Sequence, residues 1–131
     1  MNKIFLFVAS ILGALAVITG AMLAHQWRNR MSADLMEIYE TGVRYQFYHV
    51  FALLATGILS EKFHNNRIRW AGICFIAGIL LFCGSLYSIS AILMNEGSVP
   101  FLLGICTPLG GVSFILGWIF LGTGILKGGN S

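Results

Sequence analysis

Four apolar stretches dominate the chain, divided by polar segments. Ile4 to Ala24, Trp70 to Met94 and Phe101 to Leu126 contain no charged residue. A bilayer span needs about 20 predominantly apolar residues, and each of these stretches is long enough. The fourth, Tyr45 to Ser60, is weaker, because it has sixteen residues and carries Gln46 and His49. At 1.5 Å per residue it covers roughly 24 Å, short of the roughly 30 Å hydrocarbon core. It is therefore expected to recruit residues upstream, with Arg44 snorkelling to the headgroups. The pattern predicts an all-α integral membrane four-helix bundle, a single transmembrane domain over 1–131. Its spans are placed at about 4–24, 44–60, 70–94 and 101–126.

The first stretch also fits a signal peptide, with Lys3 ahead of an apolar run and Thr19-Gly20-Ala21 as a cleavage site. The run continues to Ala24, longer than a typical signal core, so a retained span is expected.

Between the first two spans the pattern turns amphipathic, over about 32–43. Ser32 can cap a helix, and Asp34 then lies in the first turn, where the helix dipole favours negative charge. Leu35, Met36, Tyr39 and Val43 recur at helical spacing, with Asp34, Glu37, Thr41 and Arg44 opposite. Glu40 and Arg44 are spaced for a weak i, i+4 pair. No proline interrupts 32–60. Either one long helix results, or an interfacial helix bends into the second span near Gly42, and the bent form is the favoured expectation. Small residues mark packing faces: Ala16, Gly20 and Ala24 in the first span, Gly84 and Ser88 in the third.

Composition agrees with this pattern. Hydrophobic residues make up 57% and charged residues 10% of the 131, against roughly 45–50% and about 25% in soluble domains. The net charge of +3 comes with no basic run or stripe, so no nucleic-acid partner is expected. Lys and Arg report orientation instead. With four spans, one side holds Lys3, Lys62, Arg67, Arg69 and Lys127, the other Arg28, Arg30 and Arg44. Five against three places both termini inside. Cys74, Cys83 and Cys106 all lie in apolar runs without metal or redox spacing, and read as buried small hydrophobes.

Placing polar residues by depth predicts a cluster in the outer half. His25 ends the first span; Arg44, Gln46, Tyr48 and His49 open the second. Tyr87 lies one or two turns inside the third, with Thr107 and Pro108 about two turns inside the fourth. All fall within roughly 10 Å of one boundary at 1.5 Å per residue. Ionisable groups at such depth tend to face the bundle and pair. Pro108 frees the carbonyl of Gly104, so the start of the fourth helix is expected to be bent or broken, with Tyr87, Gln46 or His49 available to meet that carbonyl.

No nucleophile with its base, phosphate loop or dinucleotide motif is present, and no span holds Asp, Glu or Lys. No enzyme activity, cofactor or metal site is expected. The first functional expectation is a structural or accessory protein that binds lipid or a membrane partner. An oligomeric small-solute channel or transporter with a polar outer pocket is the alternative. A further one is haem, quinone or metal binding through His25 and His49. The partners expected are the lipid bilayer and either a membrane protein or further copies of the chain.

Several pieces resemble a known family. They are Gly20-Ala21-Met22-Leu23-Ala24-His25, the distinctive Glu40-Thr41-Gly42-Val43-Arg44-Tyr45-Gln46-Phe47-Tyr48-His49, and Gly78 to Tyr87. Thr107-Pro108-Leu109-Gly110-Gly111, Phe114 and Gly117-Trp118 complete the set. The chain resembles the small four-helix membrane family catalogued as domain of unknown function 423, which includes transmembrane protein 256. Leu23 departs from a glycine expected there, and Cys83 from a more usual serine. The resemblance implies a multi-pass protein of a bacterial inner membrane or an organellar membrane, with a bacterial inner membrane and cytoplasmic termini expected here. It supplies no reaction.

Overall fold

The apolar stretches become four rods in the computed structural model, which describes residues 1–128. Helix α1 runs over Lys3–Trp27, α2 over Ala33–Leu59, α3 over Asn66–Met94 and α4 over Phe101–Gly128. Two of them contain a wider π turn: Leu23–Trp27 closes α1 and Ile79–Cys83 interrupts α3. The protein is an all-α membrane bundle. Helices α1, α3 and α4 are long and apolar enough to cross a bilayer. Helix α2 has 27 residues, about 40 Å at 1.5 Å per residue, but its first half carries Asp34, Glu37, Glu40 and Arg44.

Three helix starts carry a side chain that meets orphan backbone N–H groups. Asn2 Oδ1 accepts from Phe5 N at 3.1 Å. Ser32 Oγ accepts from Leu35 N at 3.3 Å, as its sequence position predicts. Asn65 Oδ1 accepts from Arg67 N at 3.1 Å and Ile68 N at 3.3 Å. The Asn65 amide also donates to Gly124 O at 2.9 Å, tying the start of α3 to the end of α4. At the same end Asn2 N donates to Gly57 O at 2.9 Å. The start of α1, end of α2, start of α3 and end of α4 therefore share one end of the bundle.

Helices α1 and α2 run antiparallel, with Gly13 facing Val50 and Gly20 facing Val43. Phe5, Ala9, Leu12, Leu53, Ile68, Phe75 and Phe114 belong to the main core. A second cluster of Leu23, Met31 and Tyr39, backed by Trp27, Met36 and Met94, fills the end where α2 begins.

Three expectations are corrected. Helix α2 is continuous through Gly42, and the favoured bend there does not form. The apolar face of 33–43 is covered by the end of α1 and by Tyr87 and Met94 of α3 rather than by headgroups, so the helix has no reason to turn aside. Gly42 instead makes room for a ring: an added Cβ would fall 2.8 Å from Tyr87 Cε1. Helix α4 is likewise unbroken at Pro108; Pro108 and Gly104 are both exposed, on a face with no neighbouring helix to disturb. The small-residue faces also differ. Ala16 is fully buried, but Ala24 and Ser88 are exposed, and nothing lies within 4 Å of a Cβ added at Gly84. The close α3–α4 approach is made by Gly110 against the backbone of Phe82, inside the π turn of α3.

Candidate functional site

The polar residues singled out from sequence divide into two sets. Gln46, His49, Tyr87 and Thr107 are bonded inside the bundle. His25, Arg44, Tyr48 and Pro108 are exposed.

The inner set forms tiers along α2. In the first, Tyr39 Oη donates to Thr19 O at 2.8 Å, and its ring lies 5.0 Å from that of Tyr87. In the second, Tyr87 Oη donates to Gln46 Oε1 at 2.6 Å, and Gln46 Nε2 donates to Leu12 O at 2.7 Å. Both ends of a buried amide are thereby used, which removes most of the cost of placing it in an apolar interior. In the third, Trp118 Nε1 donates to His49 Nε2 at 3.1 Å. The other ring nitrogen of His49 lies 2.7 Å from Tyr45 O. Since Nε2 accepts, the proton sits on Nδ1 and is donated to that carbonyl. The His49 ring stacks on Phe114 with centroids 3.6 Å apart. Beside these tiers, Ser85 Oγ and Thr107 Oγ1 are 2.7 Å apart.

The single outer layer predicted from depth is thus corrected. Because α2 starts at Ala33, Gln46 lies thirteen residues into it and bonds Leu12, midway along α1. His49 is level with Gly13, twelve residues from His25 along α1, or roughly 18 Å at 1.5 Å per residue. The two histidines do not converge, which overturns the shared haem or metal site. A quinone at His49 or Gln46 would meet ring and amide groups already bonded within the protein. Nor do Tyr87, Gln46 and His49 reach the carbonyl of Gly104, since their partners lie elsewhere.

Sequence reasoning missed Tyr39, Trp118 and Ser85 as polar partners. A tryptophan inside an apolar run was a usable signal, because its N–H needs an acceptor away from water. The carbonyls of Leu12, Thr19 and Tyr45 carry no sequence signal at all.

The exposed set leads to a different feature. Where α1 widens into its final π turn, a cleft of about 580 Å³ opens between α1 and α2. Its floor is Gly20, Leu23 and Ala24 of α1 with Met36 and Val43 of α2, and Arg28, Glu40 and Arg44 supply its charges. Gly20 and Ala24 bring no bulk to fill it. Among the described residues neither arginine takes part in an ion pair or side-chain hydrogen bond, and the expected Glu40–Arg44 pair is not closed. A second cleft of about 450 Å³ lies at the opposite end, lined by Asn2, Ile4, Phe5, Arg69 and Ile73.

Known proteins are similar to this sequence. A family described as "Protein of unknown function (DUF423)" matches residues 19–111, a stretch that includes the residues of the α1–α2 cleft and Gln46, His49 and Tyr87, but not their partners Leu12, Phe114 and Trp118. A UPF0382 membrane protein of Staphylococcus saprophyticus is 37% identical over 125 residues, 95% of this chain and 98% of that protein. Another from Staphylococcus aureus is 39% identical over 119 residues, 91% of this chain and 92% of that protein. The UPF0382 membrane protein YwdK of Bacillus subtilis is 35% identical over 126 residues, 95% of this chain and 98% of that protein. No solved structure matches. Matched by that family over residues 19–111 and nearly end to end by these relatives, the chain belongs to the DUF423 family of membrane proteins.

Proposed function

We propose that the protein is a non-catalytic accessory membrane protein that holds a lipid in the cleft between α1 and α2. The cleft itself carries the reading: about 580 Å³ of mostly apolar concavity with three charged side chains along it. Ligand sites in proteins are typically such concavities, mostly apolar with a few placed polar groups. The channel alternative gains nothing from the interior, where Gln46, Tyr87, His49 and Trp118 are bonded to one another or to backbone. Its location is the cell membrane, with the ends bearing Lys3 and Lys127 in the cytoplasm, on the strength of the lysine and arginine count.

The test is gentle extraction followed by native mass measurement. Wild-type chain is expected to retain about one phospholipid per molecule. Gly20→Leu with Ala24→Leu fills the cleft and should release it while leaving helix content unchanged. Lipid-free wild-type chain, or equal retention in the filled variant, would refute the assignment.

A further inference from the structure

Resting on that reading, we infer that the cleft between α1 and α2 selects a phospholipid whose headgroup is anionic and hydroxylated. Its phosphodiester would sit by Arg44, its hydroxyls by Glu40 and its outer edge under Arg28.

Register sets this order. Gly20 faces Val43, so Arg44 lies deepest in the cleft. Glu40 follows one turn further out, about 6 Å at 1.5 Å per residue. Arg28, beyond the π turn, stands outermost. Two guanidinium groups against one carboxylate leave a single positive charge, which one phosphodiester neutralises. A zwitterionic headgroup would leave it uncompensated. Guanidinium is the side chain best matched to phosphate oxygens, and both arginines are exposed without a partner among the described residues. The Glu40 carboxylate accepts hydrogen bonds from hydroxyls without demanding a cation.

The occupant is a lipid rather than a soluble phosphate because the cleft continues downward as apolar surface. Glu40, Arg44, Phe47 and Phe51 recur at i, i+4, i+7 and i+11, one stripe of α2. Phe47 and Phe51 stack with centroids 6.3 Å apart, and Phe51 is 61% exposed. An acyl chain descending from a phosphate at Arg44 would lie along those rings.

Full-length protein in a mild detergent, titrated with dioleoyl phosphatidylglycerol, phosphatidylethanolamine or phosphatidylcholine, reads this out by native mass spectrometry. Phosphatidylglycerol should be retained at least about fivefold more strongly than either zwitterionic lipid, the effect of roughly one lipid-facing basic residue. Arg28→Ala and Arg44→Ala should each lower that preference, and Arg69→Ala, in the other cleft, should leave it unchanged. Glu40→Gln should raise phosphatidylglycerol retention, because it removes the one negative charge. Equal retention of all three lipids, or a preference untouched by the arginine changes, overturns the headgroup assignment. So does a fall with Glu40→Gln, which would mean that the carboxylate holds an ammonium. If lipid is still released by Gly20→Leu with Ala24→Leu, the lipid-holding reading survives that result. Absence of any retained lipid removes both. Competition by millimolar glycerol phosphate would overturn the lipid as occupant in favour of a free phosphate.

Discussion

Gln46 is 3% exposed and both ends of its amide are bonded, to Tyr87 and to the Leu12 carbonyl. Tyr87→Phe removes one donor and leaves Oε1 without a partner. Hydrogen bonds between membrane helices average about 0.6 kcal/mol and reach about 1.7, so a loss in that range is expected. Gln46→Leu should cost more, since it takes the acceptor from the Tyr87 hydroxyl and also removes the second bond to the Leu12 carbonyl. Denaturant titration of the detergent-solubilised protein measures both, and the double variant should cost less than the two single losses added together. An additive result would mean the bond contributes nothing. That Gln46, His49 and Tyr87 matter was legible in the sequence, because polar side chains in apolar runs need partners. Which partners they take was not legible. Leu12 and Tyr45 contribute carbonyls, and every residue has one; only the register of α2 against α1 decides which is met.

At the scale of elements, the seam between α3 and α4 depends on where the π turn falls. Gly110 lies against the backbone of Phe82 within Ile79–Cys83, so even a methyl group there forces the helices apart. Gly110→Ala should destabilise by about 1–3 kcal/mol, the usual range for overpacking. Gly84→Ala should do the opposite, because open space surrounds that position and alanine exceeds glycine in helix propensity by up to about 1 kcal/mol. Thermal unfolding in detergent compares the two, and shifts of the same sign would show the seam to be misplaced. From spacing alone, Gly84 and Ser88 looked like a packing stripe. A π turn adds a residue to a turn, and each residue advances the face by about 100°. A stripe beyond it therefore cannot be projected from the seam before it. The continuous α2 has a similar origin. The amphipathic pattern over 32–43 shows an apolar face but not what covers it, and both headgroups and a neighbouring helix satisfy it.

Across the whole molecule the charges are unevenly divided between the two ends. Lys3, Lys62, Arg67, Arg69 and Lys127, with Glu61, lie at the end where Asn2 meets Gly57 and Asn65 meets Gly124. Arg28, Arg30 and Arg44 are at the other end, with Asp34, Glu37, Glu40 and Glu96. Orientation follows the lysine and arginine count near span ends, and carboxylates contribute little to it. On the orientation proposed above, five against three puts the Lys3 end in the cytoplasm and the α1–α2 cleft in the outer leaflet. Two exposed loop residues report the outcome: Ser98, between α3 and α4, and His64, between α2 and α3. In a chain with Cys74, Cys83 and Cys106 replaced by alanine, Ser98→Cys should react with an impermeant maleimide in intact cells. His64→Cys should react only after the membrane is opened. The reverse pattern would turn the bundle over and move the arginines to the inner leaflet. The cleft would then draw its lipid from the cytoplasmic side, where anionic headgroups hold the surface at about −30 mV, and its preference for them would need less selectivity from Arg28 and Arg44.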